Sequence, residues 1–140
     1  MKILKDGAKI LVAYDGSEYA KNAMKEAVDL AKNHNGSVTL LHVYWEPSMS
    51  KFEGTEVRDE VTMKLVKDVE KDLKKSKVKY EVRSERSDDP PHVILKTAKE
   101  EGYDYIAIGS RGIGGAKAWI LGSVSSRVVA EAPCPVIVVK

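Results

Sequence analysis

The stretch YIAIGSRGIGGAKAWILGSVSS (residues 105–126) joins an apolar segment, a glycine-rich loop and a candidate helix. YIAIG is a short, continuous apolar run, which is typical of a strand that is covered on both faces. Five glycines and four serines then fall within residues 109–126, so this backbone is conformationally free and carries little side chain. A buried strand that leads through a loop into a helix is typical of a parallel α/β fold.

The rest of the chain repeats this order of strand and helix. Apolar runs, or alternating apolar and polar residues, predict strands at residues 9–14, 37–44, 78–84, 105–109 and 135–140. Apolar stripes and capping signals predict four helices: one between Ser17 and Gly36, one over residues 56–75, one between Asp88 or Asp89 and Gly102, and one over residues 123–132. The order βαβαβαβαβ predicts a single open parallel sheet with helices on both faces and right-handed crossovers.

Length and composition indicate one globular domain over residues 1–140. Hydrophobic residues make up 43% of the chain and charged residues 31%, which supports a folded core and excludes a disordered chain. The formal net charge of +2 lacks the basic excess that nucleic-acid binders use to neutralise phosphates. No nucleic-acid partner is therefore expected.

Cysteine content and hydropathy predict a cytoplasmic protein. Cys134 is the only cysteine, so no intramolecular disulfide can form and a reducing compartment is expected. The N-terminal residues lack the apolar run of a signal peptide, and no later segment is apolar enough to span a membrane, so no membrane partner is expected. The three histidines lie far apart in sequence without ligand-like spacing, and no dedicated metal site is predicted.

Two loops are expected to face each other across one cleft. In an open parallel sheet, ligands bind beyond the carboxyl ends of strands, where neighbouring connections run to opposite faces. The glycine-rich loop leaves the fourth strand, and the turn from Asp15 to Ser17 leaves the first strand. If these two strands are neighbours, their connections enclose a site.

The glycine-rich loop is compatible with phosphate binding. Glycines tolerate positive φ and leave no side chain in the way, so successive amide N–H groups can converge on an anion. A helix N-terminus at Ser123 would add further donors, and Arg111 supplies a nearby positive charge. The alternative is a flexible loop that is rich in glycine only because it turns sharply twice, and the residues alone do not decide between the two.

Two common phosphate motifs do not fit this loop. The P-loop requires Gly-Lys-Ser/Thr at its end, but Lys117 lies between two alanines. The dinucleotide fingerprint that starts at Gly112 requires a glycine where Lys117 stands. Neither a motor-type NTPase nor an NAD enzyme is predicted.

The spacing of the loop glycines resembles a known family. Gly109, two residues, Gly112, nine residues and then Gly122 with Ser123 is similar to the nucleotide-binding pattern of the universal stress protein family. VAYDGSE (residues 12–18) and APCPVIVVK (residues 132–140) also resemble that family's first and last strands. The resemblance covers nearly the whole chain. It implies a five-stranded parallel sheet in the order 3-2-1-4-5 with four helices, of the adenine nucleotide α-hydrolase type.

The resemblance also implies an adenine-nucleotide site. Ala13 and Asp15 would face the adenosine half of the ligand, with the Asp15 carboxylate accepting hydrogen bonds from ribose hydroxyls or the adenine amino group. Val43 would offer backbone groups to the adenine edge, and Gly109 would lie beside the ribose. The other implied binding residues are Ile108, Arg111, Gly112, Gly122, Ser123, Val124 and Ser125, of which the two glycines and two serines would hold the phosphates. The implied ligand is ATP, AMP or ADP, with Mg²⁺ or Mn²⁺ bridging phosphate oxygens.

Some of these residues also have a purely structural interpretation. Asp15 could cap the turn before the first helix, and Ser123 could be the N-cap of the last helix. Arg111 could be a solvent-facing charge rather than a phosphate partner. Cys134 is expected to be a small, buried apolar residue.

The expected function is that of a stress-response or signalling protein that binds ATP and acts as a ligand-dependent switch. No residue is an obvious general base, so no catalytic residue is predicted, although slow ATP hydrolysis stays open. The alternatives are a dimeric interaction module of the same fold that does not bind nucleotides, and an enzyme that activates a substrate by adenylation. The apolar last strand, Val136–Val139, is expected at the sheet edge, where the family commonly forms homodimers.

Overall fold

The computed structural model of the chain describes residues 6–45, 55–112 and 121–140. The strands within these residues are β1 (Lys9–Tyr14), β2 (Ser37–Trp45), β3 (Lys79–Ser87), β4 (Tyr105–Gly109) and β5 (Val136–Val139). The helices are α1 (Glu18–Asn33), α2 (Thr55–Ser76), α3 (Pro90–Glu100) and α4 (Ser123–Glu131). Most of the connection over residues 45–56, and the middle of the glycine-rich loop with Lys117 and Trp119, lie outside the described residues.

The strands of the described residues form one parallel sheet in the order β3-β2-β1-β4-β5. The α/β fold with helices on both faces is thereby confirmed. β3 continues three residues beyond its predicted end at Ser84, because its backbone pairs with β2 as far as the pair Trp45↔Ser87. The length of this polar edge strand is therefore determined by backbone pairing rather than by the burial of its side chains.

Both faces of the sheet are covered. On one face, Ile10, Val12 and Tyr14 pack in an apolar cluster with α1 and α2. On the other face, Leu11 and Ala13 pack in a second cluster with α3 and α4. Because successive side chains of a strand point to opposite faces, a strand buried on both sides reads as the continuous apolar run seen in β1.

α2 is a charged helix that buries a narrow apolar stripe. Val69 and Leu73 are buried against the sheet, and Leu65 packs partly against the same cluster. This stripe follows the predicted helical period, while most of the charged side chains described on α2 are exposed. None of the described helices is both long enough and apolar enough to cross a membrane.

The ends of α1 show two different roles for small residues. Ser17 is the N-cap, as predicted, and its Oγ accepts a hydrogen bond from Ala20 N at 3.1 Å. After the helix, the left-handed residue is Asn35, with φ of 53°, rather than the predicted Gly36. Gly36 is needed for close approach instead, because a Cβ there would lie 2.5 Å from Ala8 O.

An ion pair joins the two helices on the second face. Asp89 is the N-cap of α3, as predicted, and accepts a hydrogen bond from His92 N at 3.4 Å. The same carboxylate oxygen of Asp89 accepts a hydrogen bond from Arg127 Nη1 of α4 at 2.8 Å. Both side chains are partly exposed, so the pair stabilises the fold by at most about 1 kcal/mol, but it links the start of α3 to the middle of α4.

His42 is a buried titratable group in β2. Its side chain is 4% exposed, and its ring centroid lies 6.1 Å from that of Tyr14 and 5.7 Å from that of Tyr44. Within the described residues its Nδ1 has no hydrogen-bond partner. Burial lowers the pKa of His42 below its ordinary value of 6.5, and the Asp15 carboxylate opposes this shift only in part. The imidazole is therefore neutral in the folded protein at neutral pH.

Acidification from about pH 7.5 to about pH 5.5 should destabilise the protein through His42. The unfolded chain takes up a proton near pH 6.5, whereas the folded protein resists protonation until a lower pH. The free energy of unfolding should then fall below pH 6.5 by at most about 1.4 kcal/mol per pH unit. His42→Phe keeps a ring that cannot titrate, and should lose this part of the pH dependence in urea unfolding. Replacement of the exposed His92 by Phe is the control, and equal pH dependence in the two variants would contradict the assignment.

Candidate functional site

The carboxyl ends of β1 and β4 form the switch point of the sheet. The two strands are direct neighbours, with Ala13 paired to Ile108. The chain leaves β1 toward α1 on one face and leaves β4 toward α4 on the other. Because the two connections diverge, they leave a crevice of the kind in which ligands of open α/β sheets bind. The predicted cleft required the first and fourth strands to be neighbours, and they are.

Asp15 occupies the β1 side of this crevice. It directly follows β1, and its Oδ1 accepts a hydrogen bond from Ser17 N at 2.9 Å, which closes an Asx turn before α1. The structural interpretation of Asp15 as a turn cap is therefore correct. Its other oxygen faces the loop after β4, because a Cβ built on Gly112 would lie 2.7 Å from Oδ2. The carboxylate thus brings the two loops into contact.

Three apolar residues line adjacent strands beside this carboxylate. Ala13, Val43 and Ile108 are 8%, 9% and 5% exposed, and all belong to the cluster on the side of α3 and α4. Each lies within the last three residues of its strand. Val124 of α4 packs partly against the same cluster. Apolar core residues on the α3 and α4 face therefore lie near the carboxyl ends of three neighbouring strands.

The three glycines of the pattern have different surroundings. A Cβ on Gly109 would lie 2.6 Å from Tyr19 Cβ, so glycine there allows α1 to lie against β4. A Cβ on Gly112 would meet the carboxylate described above. A Cβ on Gly122 would make only ordinary contacts, the shortest of them 3.5 Å. Packing among the described residues therefore requires glycine at the first two positions and not at the third.

Backbone conformation does not explain these glycines. Among the described glycines, positive φ occurs only at Gly7, Gly16 and Gly102, and Gly122 has φ of −69°. The described glycines of the loop, Gly109, Gly112 and Gly122, therefore do not use left-handed backbone. Residues 113–120 lie outside the described chain.

α4 begins at Ser123 with Gly122 as its N-cap. The interpretation of Ser123 as the N-cap is therefore wrong, and this exposed serine is the first helical residue. Gly122 offers no side-chain oxygen to the first turn, whose N–H groups have no acceptor within the helix. Together with the helix dipole, these donors favour an anion at this end of α4.

Ser110 was not among the residues predicted from the sequence, yet it holds the loop together. Its C=O accepts hydrogen bonds from Gly122 N at 2.8 Å and from Ser125 Oγ at 2.9 Å. Its N–H donates to Val139 O of β5 at 2.7 Å. Its own hydroxyl is buried and has no partner within the described residues. The sequence contained one indication of this role, because Ser110 lies inside the glycine pattern, directly after the fourth strand.

Two predicted residues lie beside this junction. Ser125 is 3% exposed, and its hydroxyl lies within hydrogen-bonding distance of two carbonyls, those of Ser110 and Gly122. This hydroxyl therefore stabilises the loop from within. Arg111 is half-buried and directly precedes Gly112, so it carries one positive charge into the loop.

The arrangement suits a ligand with three chemically different parts. The apolar strand ends around Ala13 would suit a flat apolar group, and the Asp15 carboxylate can accept hydrogen bonds from hydroxyl or amino groups. The first turn of α4 and the charge of Arg111 would suit an anionic group. Among the described residues, no group of three His, Cys, Asp or Glu side chains is arranged to hold a metal ion.

The chain is thus a doubly wound α/β protein with a loop and a helix N-terminus at the switch point of its parallel sheet. The model of the Universal stress protein family matches residues 8–140. The chain belongs to the universal stress protein family.

Relatives of this chain cover it almost completely. Universal stress protein YxiE of Bacillus subtilis is 37% identical, over 94% of this chain and 98% of its own length. A universal stress protein of Thermus aquaticus is 36% identical, over 94% of this chain and 97% of its own length. The structure of universal stress protein UspA from Lactobacillus plantarum matches with a TM-score of 0.78 at 26% identity, and covers 98% of this chain and 100% of that one.

Several solved structures of the same fold contain adenine nucleotides. A universal stress protein family protein of Arabidopsis thaliana with AMP bound is 23% identical, with a TM-score of 0.70 and coverage of 95% of this chain and 91% of that one. The protein from Archaeoglobus fulgidus in complex with dAMP is 24% identical, with a TM-score of 0.69 and coverage of 95% and 98%. A universal stress protein in complex with cAMP is 19% identical, with a TM-score of 0.74 and coverage of 95% and 97%. At these identities the likeness to this chain lies in the fold.

Replacement of Gly109 by Ala should destabilise the folded protein. The new methyl group would lie 2.6 Å from Tyr19 Cβ and 2.8 Å from the Tyr19 carbonyl carbon, so α1 must shift or the site must strain. We expect a loss of about 1–3 kcal/mol in urea unfolding. Gly122→Ala is the matched control and should cost less than about 1 kcal/mol, since the site has room for a Cβ. Equal losses in the two variants would speak against the packing role of Gly109.

Proposed function

We propose that this universal stress protein binds an adenine nucleotide, with ATP as the expected ligand, and acts as a ligand-dependent switch in stress response or signalling. The observation that carries the proposal is the contact between Asp15 and Gly112 at the switch point, beside the N-terminus of α4. Proteins of the same fold bind AMP, dAMP and cAMP, which supports the adenine class. All the described strands belong to one sheet, which supports a single nucleotide-binding domain over residues 1–140. The single cysteine supports a cytoplasmic location.

We assign the adenosine half of the ligand to the ends of β1, β2 and β4. Ala13, Val43 and Ile108 offer the adenine ring an apolar surface. Val43 lies one residue beyond the last pair of β1 with β2, so it is placed to offer backbone groups to the polar edge of adenine. The Asp15 carboxylate accepts hydrogen bonds from ribose hydroxyls or the adenine amino group, and the backbone of Gly109 lies beside the ribose.

We assign the phosphates to the loop and to the first turn of α4. The residues on this side are Arg111, Gly112, Gly122, Ser123, Val124 and Ser125. The first-turn N–H groups and the exposed Ser123 hydroxyl are the donors, and Arg111 contributes its charge. A hydrogen bond to a charged group stabilises a complex by about 1.5–3 kcal/mol. A few such bonds, less the cost of association, correspond to roughly −8 kcal/mol, a dissociation constant in the micromolar range.

A Mg²⁺ or Mn²⁺ ion would bind through the nucleotide. Such ions prefer phosphate oxygens and water to a cage of protein ligands. The described residues contain no such cage, and on the side assigned to the phosphates the exposed hydroxyl of Ser123 is a hard oxygen donor that would fit a hydrated ion.

The described site favours a switch over a turnover enzyme. Hydrolysis of ATP needs a group that positions or deprotonates a water molecule at the terminal phosphate. The carboxylate that faces the loop, Asp15, already accepts a hydrogen bond from Ser17 N and lies against Gly112. An interaction module of the same fold that does not bind nucleotides is the competing proposal.

Calorimetric titration with ATP, AMP and GTP tests nucleotide binding. Adenine nucleotides should bind with micromolar dissociation constants, and GTP at least about tenfold more weakly, if the site recognises adenine. Denaturation of the purified protein should release an adenine nucleotide that mass spectrometry can identify. No binding of any adenine nucleotide at roughly millimolar concentration would overturn the proposal in favour of the interaction module. Formation of ADP in the same samples would assign slow ATPase activity.

Replacement of Gly122 by Val locates the binding site. The side chain would crowd the first turn of α4, to which the phosphates are assigned, so ATP affinity should fall by at least about tenfold. Urea unfolding should show a loss of only about 1 kcal/mol, because a Cβ there makes ordinary contacts and valine is merely a poorer N-cap than glycine. Gly112 is less suitable for this purpose, because a side chain there would also strain the contact with Asp15. Ala130→Val places the same side chain in the exposed last turn of α4 and should leave affinity unchanged. Undiminished ATP affinity in Gly122→Val would contradict the assignment of the loop.

We also propose that two copies of the chain pair through β5. Within the described sheet, β5 is an edge strand that pairs with β4. Val138 of β5 is 38% exposed, and Val129 of the neighbouring α4 is 43% exposed. An apolar strand edge with unpaired backbone groups favours pairing with another strand, and two identical edges can pair antiparallel about a two-fold axis.

Light scattering at micromolar concentration should give twice the chain mass of 15.5 kDa. Val138→Lys places a charge on the paired edge and should shift the protein toward a monomer, because a buried charge opposes strand pairing. Glu81→Lys introduces the same residue on the opposite edge strand, β3, and should leave the mass unchanged. A wild-type protein that scatters as a single chain would refute the dimer.

A further inference from the structure

Gly112 lies against a carboxylate of the protein itself, which is a contact that phosphate binding alone would not require. Apart from its chain neighbours, the only described atoms within 4 Å of a Cβ built on Gly112 are Asp15 Oδ2 at 2.7 Å and Asp15 Cγ at 3.9 Å. The other oxygen, Oδ1, accepts the hydrogen bond from Ser17 N at 2.9 Å. The Asp15 carboxylate is therefore held between the turn after β1 and the loop after β4.

Gly122 shows the contrasting case within the same loop. A Cβ on Gly122 would lie 3.5 Å or more from its nearest neighbours, which is ordinary van der Waals contact, so a methyl group fits there without displacing the protein's own atoms. At Gly112 the space for a Cβ is taken by the protein's own carboxylate. The two glycines of this loop therefore differ in what a side chain would meet.

We propose that Gly112 is a positioning residue for Asp15. Its lack of a side chain allows the carboxylate to keep the orientation in which it accepts hydrogen bonds from the hydroxyl or amino groups of the ligand. This inference rests on the proposed nucleotide site and deepens it. It links Gly112 to recognition of the adenosine half, through Asp15, in addition to any contact that its backbone makes with phosphate.

A methyl group at position 112 would force one of two movements. The distance of 2.7 Å is shorter than a Cβ tolerates, and the obstructing atom belongs to a short side chain that is anchored at Ser17 N. Either the carboxylate rotates and loses that hydrogen bond, or the loop moves away from β1. The first movement displaces the acceptor oxygen, and the second separates that oxygen from the loop on the other side of the proposed ligand.

A double-mutant cycle over Asp15 and Gly112 tests this coupling. The four proteins are wild type, Asp15→Ala, Gly112→Ala and the double variant, each titrated with AMP. Each single variant should weaken AMP binding by roughly tenfold or more, which corresponds to one charge-assisted hydrogen bond. In the Asp15→Ala background, Gly112→Ala should weaken binding by less than about twofold, because the group that the methyl displaces is absent.

Adenosine distinguishes this role from a direct phosphate role. Adenosine carries no phosphate, so Gly112→Ala should weaken adenosine and AMP by the same factor. Gly122→Ala is the matched control: it should weaken AMP alone, and its factor should multiply with that of Asp15→Ala. Two results would overturn the inference. The first is that the two losses multiply in the Asp15–Gly112 double variant, and the second is that Gly112→Ala loses affinity for AMP but not for adenosine.

Urea unfolding without nucleotide tests the contact independently of binding. Gly112→Ala should lower the midpoint in the wild-type background and leave it unchanged in the Asp15→Ala background, whereas equal shifts would refute the contact. If Asp15→Ala does not fold, Asp15→Ser replaces it, because a short hydroxyl can still accept the hydrogen bond from Ser17 N. Wild-type protein that binds no adenine nucleotide overturns the proposed function, and the stability cycle still decides whether Gly112 positions Asp15.

Discussion

The parallel pairing of β1 with β4 is the contact on which the rest of the site depends. Since β1 continues into α1 on one face and β4 into α4 on the other, their connections diverge and leave a crevice at the carboxyl ends. Asp15 and Gly112 lie far apart in the sequence, and this pairing places the carboxylate of one against the backbone of the other. A different strand order would separate them, so the chemistry of the site follows from the topology of the sheet.

The loop after β4 is held by the protein at several points. Ser110 accepts hydrogen bonds from Gly122 N and Ser125 Oγ and donates one to Val139 O, so the loop is anchored to both α4 and β5. Gly109 allows α1 to approach β4, and Gly112 accommodates a carboxylate. Anchoring of this kind fixes the described ends of the loop, which lowers the conformational entropy that a ligand bound there would have to remove.

Local patterns in the sequence predicted the elements better than their ends. Apolar runs and helical stripes located the strands and helices, because burial on one or two faces leaves a period in the chain. The end of β3 was not predicted, because pairing with β2 decides it. The left-handed Asn35 after α1 was not predicted either, since the next residue, Gly36, is needed for close contact with Ala8. The N-cap at Gly122 was missed because a serine in the next position has the stronger intrinsic preference for that role. The order of the strands came from the family resemblance, since no residue pattern in the chain specifies which parallel strands are neighbours.

The sequence by itself determined the alternation of strands and helices, the position of the glycine-rich loop after the fourth strand, and the family to which these patterns are similar. It did so because hydrophobic period and glycine spacing are properties of neighbouring residues. Only the tertiary structure decided why Gly109 and Gly112 lack a side chain, and showed that Ser110 anchors the loop. The reason is physical: the atoms that a Cβ would meet at Gly109 and Gly112 belong to Tyr19 and Asp15, which are distant in the chain and become neighbours only in the folded sheet.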